Sequence, residues 1–465
     1  MKSSKIISLN PSKNYEVLGE VEPSTHHAID TAIINARQAF PMWSRLTVTE
    51  RVAFLERVYQ EFVQRKEEIK NIMALEMGMP ISVCDQIEID PGLHYMRGYL
   101  DLAEQWLASE VVYENAQEIH YLYHEPKGVA GASVPWNYPF SNFIWAVMQN
   151  LVVGNTVVFK HSEECILTSK LFEEILNKYL PAGVCTTVYG TGIEAGDYLM
   201  NGAIDLLWFT GSTGVGKHLY QVAAKKLIPA ILELGGSAAG IVFEDADLSM
   251  TIASLYNARF LNSGQTCDGL KRLLVHVSIF DKVVDGLKTM VASKKIGPAH
   301  DPATDIGPLV AERQVVALEE QVADALQKGA RVVIGGKRPA GLQGAYYEPT
   351  ILTHISFDMR VWKEEVFAPV LLVVPFTTEE EAILLANDSQ YGLGGYVYTQ
   401  DQERALRVSK LLQTGNIMVN NASYVIPQDP FGGYKNSGLG REHGKMGLRE
   451  LCSVKVIAMK RGKQS

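Results

Sequence analysis

Residues 203–209 (AIDLLWF) form a short apolar run, and residues 210–218 (TGSTGVGKH) follow it directly as a glycine-rich turn. A run of this kind that ends in glycines and leads into a helical pattern is typical of a buried strand followed by a helix. The N–H groups of such a turn and of the helix N-terminus favour a phosphate group. This stretch therefore predicts an α/β fold with a phosphate site at the end of one strand.

The same alternation of short apolar runs with helical segments continues on both sides of this stretch. The further strand-like runs are residues 128–134, 155–160, 183–189, 239–243, 272–277, 331–334 and 371–376. Strand–helix alternation predicts parallel sheets that are covered by helices on both faces. We therefore expect two α/β domains, the second beginning near Glu233.

Two other segments have a different pattern. Residues 24–110 show helical spacing, with one long amphipathic run over residues 49–77. Residues 118–126 alternate and are rich in aromatic side chains, which predicts a strand outside the main sheets.

The composition excludes several classes of protein. The chain has 465 residues, 47% of them hydrophobic, and a net charge of −9, so it can bury large cores and offers no basic field for nucleic acid. No apolar stretch is long enough to cross a bilayer, and residues 1–11 lack the apolar core of a signal peptide. The five scattered cysteines argue against disulfides and structural zinc. We expect a cytoplasmic protein without nucleic-acid or membrane partners.

Residues 262–267 (NSGQTC) place the thiol of Cys267 among small and polar residues. Free cysteines are mostly small buried hydrophobes, but a reactive one must be accessible, as this setting allows. Glu233 favours the catalytic alternative, because it is the only carboxylate in the apolar run 231–237 (ILELGGS). Burial moves the pKa of a carboxylate toward the value that a general base needs. Cys267 and Glu233 are therefore candidates for nucleophile and base.

The glycine-rich turn alone leaves several interpretations open. It nearly matches the loop that binds nucleoside triphosphates, but His218 stands where a Ser or Thr hydroxyl would hold magnesium. The dinucleotide fingerprint Gly-x-Gly-x-x-Gly is absent. A phosphate- or nucleotide-binding protein that uses the Gly211 turn, or a plain strand-to-helix turn, are the alternatives.

Taken together, the chain resembles the aldehyde dehydrogenase superfamily over nearly its whole length. The motifs that carry the resemblance are residues 135–139 (PWNYP), 160–163 (KHSE), 209–216 (FTGSTGVG), 233–236 (ELGG), 264–267 (GQTC), 365–369 (EVFAP) and 430–438 (PFGGYKNSG). The resemblance implies a Rossmann-type cofactor domain, an α/β catalytic domain and a small β oligomerisation element.

The resemblance implies three catalytic residues, and the chemistry requires the same roles. The Cys267 thiolate would attack the aldehyde carbonyl, and the Asn137 amide with the Cys267 backbone N–H would donate to the oxyanion. After hydride transfer, Glu233 would activate the water that hydrolyses the thioester. No metal is required.

The resemblance also implies an NAD site, with NADP less favoured. Glu163 can accept hydrogen bonds from ribose hydroxyls and would repel a 2′-phosphate. Lys160 and Glu163 would bind the adenosine ribose, Ser212 the pyrophosphate, and Glu365 and Phe367 the nicotinamide riboside. The full implied set is Trp136, Lys160, Ser162, Glu163, Gly211, Ser212, Gly216, Leu234, Glu365 and Phe367.

An uncharged aldehyde with an apolar or aromatic tail is the predicted substrate. Family members that oxidise succinic semialdehyde place arginines at two positions, which are Trp145 and Leu261 here. Without those charge-assisted bonds, burying a distal carboxylate is costly. Tyr138, Val425 and Phe431 are placed near the mouth of the pocket by the resemblance. A succinate-semialdehyde-type enzyme remains the alternative.

Three positions depart from the family pattern. His161 replaces a proline, Ala146 stands where many members have a lysine, and Asp268 directly follows the nucleophile. A carboxylate that faced the thiol would disfavour the thiolate, which makes a catalytically silent family member a further alternative. Because adjacent residues often point apart, we expect only a modest effect from Asp268.

By resemblance, the cofactor domain comprises residues 1–111, 127–231 and 422–450, and the catalytic domain comprises residues 232–421. Residues 112–126 and 451–465 form the oligomerisation element, in which the strand near Tyr121 pairs with residues 453–458. Exposed strands of this kind seek a partner, so we expect a homodimer or a homotetramer.

Overall fold

The structure of the protein, a computed structural model, describes residues 5–461 and contains two large sheets within that range. The first sheet is parallel except at one edge, where Gly438–Leu439 is antiparallel to its neighbour. Its strands, in spatial order, are Gly438–Leu439, Ala230–Glu233, Leu206–Thr210, Val129–Val134, Thr156–His161 and Cys185–Val188. The four strand-like runs predicted between residues 128 and 209 all lie in this sheet.

The second sheet is also parallel, apart from an antiparallel edge strand. Its strands, in spatial order, are Arg331–Ile334, Thr350–Thr353, Val370–Phe376, Leu270–His276, Ala238–Val242, Gly394–Tyr398 and Asn416–Val419. The sequence patterns did not predict the strands Thr350–Thr353, Gly394–Tyr398 and Asn416–Val419, which are short and rich in glycine, threonine or polar residues.

Both large sheets are buried on both faces. In the strand Thr156–His161, Val157 and Phe159 pack into one hydrophobic core, and Val158 packs into another. In the strand Leu270–His276, Leu274 and Leu273 likewise belong to different cores. Because successive side chains of a strand point to opposite faces, this division shows that each sheet is covered on both sides, as the alternation predicts.

Two smaller sheets lie outside the main layers. Ile6–Asn10 and Glu16–Val21 form an antiparallel hairpin. Glu118–Pro126 pairs antiparallel with Glu110–Glu114 on one side and with Cys452–Lys460 on the other. Ile457 lies opposite Tyr121 in this second pairing, which is the pairing expected from the sequence.

Helices cover the sheets and fill the N-terminal region. The α-helices are His26–Arg45, Val48–Gln64, Lys66–Met77, Ile81–Cys84, Asp90–Leu107, Pro139–Phe143, Gln149–Val153, Ile166–Tyr179, Asp197–Asn201, Thr213–Lys226, Leu248–Phe260, Phe280–Ala292, Glu312–Gln327, Arg360–Lys363, Glu379–Asn387, Gln402–Leu411 and Gly444–Glu450. Shorter π or 3₁₀ turns are Asp85–Ile89, Ile144–Met148, Glu163–Cys165, Gly192–Gly196, Leu261–Gly264, Val277–Ile279 and Lys435–Ser437. Over residues 5–461, no helix is both long enough and apolar enough to cross a bilayer.

The predicted amphipathic run over residues 49–77 is two helices rather than one. Val48–Gln64 ends at Arg65, whose ψ of 14° leaves the helical range, and Lys66–Met77 follows. Arg65 there donates hydrogen bonds to Glu68 and Glu174. The helical spacing continues through the break, so the hydrophobic pattern could not show it.

The topology brings strand ends of the two large sheets together. Residues 135–138 follow the strand Val129–Val134, and Gly211 follows Leu206–Thr210 at the carboxyl edge of the first sheet. Cys267 and Glu365 precede the strands Leu270–His276 and Val370–Phe376 of the second sheet. Open α/β folds bind ligands in a crevice beyond the carboxyl ends of their strands, and a cavity lies at this place.

Candidate active site

A cavity of about 400 Å³ collects most of the residues that the sequence predicts for the site. Its polar lining comes from both large sheets and its apolar lining is mostly aromatic. The predicted residues that line it are Trp136, Asn137, Tyr138, Trp145, Gly211, Ser212, Glu233, Leu234, Cys267, Glu365, Phe367, Val425 and Phe431.

The backbone just before Cys267 has an unusual conformation. Asn262, Ser263 and Gly264 have φ values of 51°, 53° and 72°, so three successive residues are left-handed. A Cβ atom on Gly264 would lie 2.5 Å from the carbonyl oxygen of Ala368, so only glycine fits there. Non-glycine residues adopt this conformation at an energetic cost and do so mostly at functional sites. This turn brings Cys267 to the cavity.

Hydrogen bonds from side chains hold the turn in place. Asn262 Nδ2 donates to the carbonyl of Asn137 at 2.8 Å, and Asn137 Nδ2 donates to the carbonyl of Gln265 at 3.1 Å. Ser263 Oγ donates to the carbonyl of Gly307 at 2.8 Å. An amide nitrogen carries two hydrogens, so Asn137 keeps a second N–H for another acceptor. The predicted oxyanion donor is thus fixed beside the nucleophile segment.

The expectation that Asp268 points away from Cys267 is wrong. Asp268 lines the cavity, and its Oδ1 lies 3.9 Å from Cys267 Sγ. The Tyr424 hydroxyl donates to Asp268 Oδ2, and the Tyr396 hydroxyl donates to the Asp268 carbonyl at 3.0 Å. These bonds fix the carboxylate toward the thiol. Burial raises the pKa of the Cys267 thiol, and Asp268 raises it further.

A lysine that the sequence analysis did not single out contacts the backbone at Cys267. Lys271 is 1% exposed, and its Nζ donates to the carbonyls of Thr266 at 2.9 Å and Cys267 at 2.7 Å. The same Nζ lies 3.7 Å from Glu365 Oε1. Burial lowers the pKa of Lys271 to about 8, and Glu365 opposes that shift.

Glu233 contributes a buried carboxyl group to the cavity lining. It is 3% exposed, and within residues 5–461 neither of its carboxylate oxygens has a hydrogen-bond partner. Burial raises its pKa well above the ordinary value, and the nearby carboxylate of Glu442 raises it further. Burial also raises the pKa of Glu442 to about 8. A buried carboxylate with two free oxygens and a raised pKa suits proton abstraction from water.

The two glycines after Glu233 allow close contacts that a side chain would block. A Cβ atom on Gly236 would lie 2.4 Å from the Cys267 carbonyl oxygen, and one on Gly235 would lie 2.4 Å from Glu365 Oε2. The N–H of Gly236 donates to Glu365 Oε1 at 2.8 Å. The glycines therefore let the base, the nucleophile segment and Glu365 converge.

Aromatic side chains form the rest of the cavity. The Tyr138 hydroxyl lies 2.8 Å from Thr266 Oγ1. Trp145 stands in the π-helical turn Ile144–Met148 and packs edge-on against Tyr95 at 5.6 Å and His443 at 5.2 Å. Burial lowers the pKa of His443 to about 3, so this ring is neutral at physiological pH.

The structure differs from the prediction at Leu261, which does not line the cavity. The helix Leu248–Phe260 ends immediately before it, and the left-handed residues that follow turn the chain toward the site. Leu261 therefore lies at the helix end, before the turn that leads to Cys267.

Four predicted cofactor residues do not line the cavity, namely Lys160, Ser162, Glu163 and Gly216. Ser212 is the N-cap of the helix Thr213–Lys226. Gly216 lies in the first turns of this helix, where a Cβ atom would be 2.3 Å from Leu234 Cδ2. Gly216 thus lets the helix pack closely on the segment after Glu233.

At the end of the neighbouring strand Thr156–His161, Lys160 is 2% exposed and its Nζ lies 3.3 Å from Glu163 Oε2. Ser162 caps the short turn Glu163–Cys165 by accepting the N–H of Glu164 at 3.3 Å. His161 and Ala146, two departures from the family pattern, are buried.

Lys271, Glu442, His443 and Tyr424 are site residues that the sequence reasoning missed. Lys271 lies beside Arg272 in the run 270–275 (LKRLLV), whose other residues are all apolar, and this pair of charges is a signal similar to the one that singled out Glu233. Glu442 and His443 lie in a glycine-rich segment without strong periodicity, and only their folded positions bring them to the cavity, whereas Tyr424 acts on the site through its hydrogen bond to Asp268.

Comparison with known proteins agrees with this geometry. The model of the aldehyde dehydrogenase family matches residues 1–457. The mitochondrial succinate-semialdehyde dehydrogenase of Oryza sativa subsp. japonica is 36% identical over 457 residues, which are 98% of this chain and 86% of the relative.

Solved structures are equally similar. An aldehyde dehydrogenase of Mycobacterium tuberculosis complexed with NAD⁺ superposes with a TM-score of 0.94 at 34% identity, covering 98% of this chain and 94% of the other. An NADP-dependent enzyme of E. coli superposes with a TM-score of 0.95 at 32% identity, covering 98% and 95%. These matches confirm the predicted aldehyde dehydrogenase-like α/β fold.

A thiol, a buried carboxylate and an amide donor thus share one cavity, in a fold that solved aldehyde dehydrogenases also have. The family model spans nearly the whole chain. This protein belongs to the aldehyde dehydrogenase family.

Proposed function

We propose that this enzyme oxidises an aldehyde to the carboxylic acid, with Cys267 as nucleophile and NAD as the hydride acceptor. The observation that carries the proposal is the convergence of Cys267, the unpaired Glu233 and the Asn137 amide on one cavity. The glycine-rich turn at Gly211 opens into the same cavity, which joins a phosphate-binding element to the thiol.

The residues act in sequence. The Cys267 thiolate attacks the aldehyde carbon, and the free N–H of Asn137 with the Cys267 backbone N–H stabilises the oxyanion of the thiohemiacetal. Loss of hydride leaves a thioester on Cys267. Glu233 then removes a proton from water, which attacks the thioester and releases the acid. The carboxylate regains its free form when that proton passes to solvent.

The residues present fit a dinucleotide. Ser212 caps a 14-residue helix whose N-terminus favours a pyrophosphate, and a Cβ atom on Gly214 would meet no atom within 4 Å. The Glu365 carboxylate is buried at the cavity, where it accepts one N–H and can accept a ribose hydroxyl. NAD supplies the hydride acceptor when it is bound. Lys160 and Glu163 would hold the adenosine ribose, and Phe367 with Trp136 would support the nicotinamide ring.

We propose NAD rather than NADP as the cofactor. Burial opposes ionisation of Glu163, but the Lys160 ammonium holds the pKa of this carboxyl below its ordinary value. An ionised Glu163 would repel a 2′-phosphate. Lys160 is already engaged by Glu163 at 3.3 Å, which weakens its attraction for a second anion.

We propose an uncharged aldehyde with an apolar or aromatic tail as the substrate. Four carboxyl groups line the cavity, those of Glu233, Asp268, Glu365 and Glu442, and no lysine or arginine is in its lining over the described residues. A distal carboxylate would meet like charge and aromatic rings such as Trp145 instead of a cation. A succinate-semialdehyde substrate, which the Oryza relative uses by name, is the second candidate.

Assembly and location are proposals of the same kind. The small sheet exposes Val454, Val456, Ile457 and Met459, which suits a homodimer or homotetramer joined at this sheet. The five cysteines are free thiols, as in a cytoplasmic, reducing compartment.

One assay tests the proposed function. Purified enzyme is mixed with NAD and a panel of aliphatic, aromatic and dicarboxylic aldehydes, and the absorbance of reduced cofactor is followed. We expect aldehyde-dependent NADH formation by the wild type and none by Cys267→Ala, which should still bind NAD. NADH formation by the variant would refute the thiol mechanism, and ATP hydrolysis without aldehyde oxidation would favour the nucleotide-binding alternative.

A further inference from the structure

Lys271 has contacts that a merely structural lysine does not require. Its ammonium donates to two successive carbonyls, those of Thr266 and Cys267, at 2.9 and 2.7 Å. The Cys267 carbonyl belongs to the nucleophile itself, and the Thr266 carbonyl belongs to the peptide whose N–H is the proposed oxyanion donor. The lysine therefore fixes the orientation of that peptide.

Negative charge surrounds the thiol on the other sides. The carboxylates that act on Cys267 are those of Asp268, Glu365 and Glu233, while Lys271 acts in the opposite direction. The phenols of Tyr138, Tyr396 and Tyr424 also face the thiol, and burial raises the pKa of each, so they stay neutral. A cation beside the thiol therefore favours formation of the thiolate.

We propose that Lys271 is a positioning residue for Cys267: it aligns the Thr266–Cys267 peptide and offsets the negative charge that Asp268 places 3.9 Å from the thiol. The inference rests on the proposed role of Cys267 as nucleophile. It also explains how this chain accommodates a carboxylate next to its nucleophile, because Asp268 and Lys271 lie on the same short segment and act oppositely on one sulfur.

The same ammonium connects the nucleophile to the cofactor side of the cavity. Lys271 Nζ lies 3.7 Å from Glu365 Oε1 and 5.9 Å from the centre of the Phe367 ring. Loss of the lysine would leave Glu365 buried with the Gly236 N–H as its remaining hydrogen-bond donor over the described residues.

The test measures the thiol directly, without aldehyde or cofactor. Wild type, Lys271→Met and Lys271→Arg are treated with iodoacetamide across a range of pH, and alkylation of Cys267 is followed by peptide mass spectrometry. The other four cysteines are buried, so the fast-reacting thiol should be Cys267, and Cys267→Ala gives the background. We expect Cys267 of Lys271→Met to be alkylated about tenfold more slowly than that of the wild type at pH 7. The midpoint of its curve of alkylation rate against pH should lie about one pH unit higher. Lys271→Arg keeps the charge but not the geometry, so its alkylation rate should lie between those of the wild type and Lys271→Met.

A second pair of variants tests the opposition between the two charges. Asp268→Asn should speed alkylation, and adding it to Lys271→Met should restore most of the lost rate. The two substitutions should therefore change the same alkylation rate in opposite directions. An Asp268→Asn variant that reacts no faster than the wild type, or a double variant that reacts as slowly as Lys271→Met, would show that Lys271 does not offset Asp268 and would overturn that half of the proposal.

Lys226→Met is the matched control. Lys226 is half-buried and its Nζ also donates to two carbonyls, those of Met200 and Gly202, but it lies on a helix away from the cavity. An equal loss of Cys267 reactivity in Lys226→Met, or an unchanged rate in Lys271→Met, would refute the proposal. Thermal unfolding checks that each variant is folded. If Lys271→Met is unfolded, the alkylation rate of Lys271→Arg tests the proposal instead.

The outcome is separable from the proposed function. Turnover by Cys267→Ala would refute the role of Cys267 as nucleophile. The effect of Lys271 on alkylation of the thiol would still be measurable. Turnover that depends on Cys267, together with alkylation that does not depend on Lys271, would support the proposed function. It would refute the positioning role of Lys271.

Discussion

The side-chain amide of Asn137 donates to the backbone carbonyl of Gln265 at 3.1 Å, although 128 positions of sequence separate the two residues. Asn137 follows a strand of the first large sheet, and Gln265 precedes Cys267 and a strand of the second. The bond therefore fixes an amide donor of one sheet against the nucleophile segment of the other. The second N–H of the Asn137 amide remains available for the oxyanion.

Replacing Asn137 with Ala should lower kcat by about 10²- to 10³-fold, because one preorganised oxyanion donor is lost. Steady-state kinetics with the best aldehyde measure this effect. Asn142→Ala is the control: Asn142 donates to Asn137 Oδ1 at 3.4 Å but leaves the Asn137 N–H groups in place. Equal losses in the two variants would argue against an oxyanion role for Asn137.

Replacing Glu233 with Gln should separate the two halves of the reaction. Acylation does not need this base, so stopped-flow mixing should show a burst of NADH followed by slow turnover. The contrary result is a missing burst while Cys267 still reacts with iodoacetamide, which would place Glu233 before hydride transfer.

The activity should fall as the pH is lowered below neutrality. Burial raises the pKa of both Cys267 and Glu233 well above their ordinary values, and each acts in its deprotonated form. Lowering the pH protonates both groups, so kcat/KM and kcat should fall together on the acidic side. Glu233→Gln should flatten the kcat profile there, since the variant has no carboxylate to protonate. A wild-type optimum near pH 6 would contradict this assignment.

The wild type should use NAD more efficiently than NADP. Glu163→Gln should narrow that preference by about tenfold, which corresponds to about 1.4 kcal/mol, because it removes the charge facing a 2′-phosphate. The neighbouring Glu164→Gln serves as control, since Glu164 pairs with Arg313 instead of Lys160. Catalytic efficiencies with the two cofactors decide the point, and a wild type that prefers NADP would refute it.

The wild type should prefer a medium-chain or aromatic aldehyde to succinic semialdehyde. Trp145→Arg should shift the ratio of catalytic efficiencies toward the semialdehyde by about tenfold or more, because a guanidinium in the cavity can pair with the distal carboxylate. Leu261→Ala should leave the ratio unchanged, since Leu261 does not line the cavity. A wild-type preference of tenfold for succinic semialdehyde would show that the pocket binds a carboxylate by other groups.

Local patterns in the sequence determined the strands and the chemistry at their ends. The apolar runs around residues 128–134 and 203–209 predicted buried strands because strands in parallel sheets are apolar on both faces. Cys267 and Glu233 could be identified because a thiol in a polar turn and a carboxylate in an apolar run each conflict with their surroundings. The glycines after Glu233 marked a close approach without showing which atoms approach.

Only the tertiary structure decided how distant residues act on one another. Whether Asp268 faces Cys267 depends on the hydroxyl of Tyr424, which lies 156 positions away along the chain. The charge of Lys271 matters because folding places its ammonium under the nucleophile, and the position of Leu261 depends on three left-handed residues that no periodicity reveals. Electrostatic effects depend on distances and burial in the folded chain, and these follow from packing between sheets rather than from the local sequence.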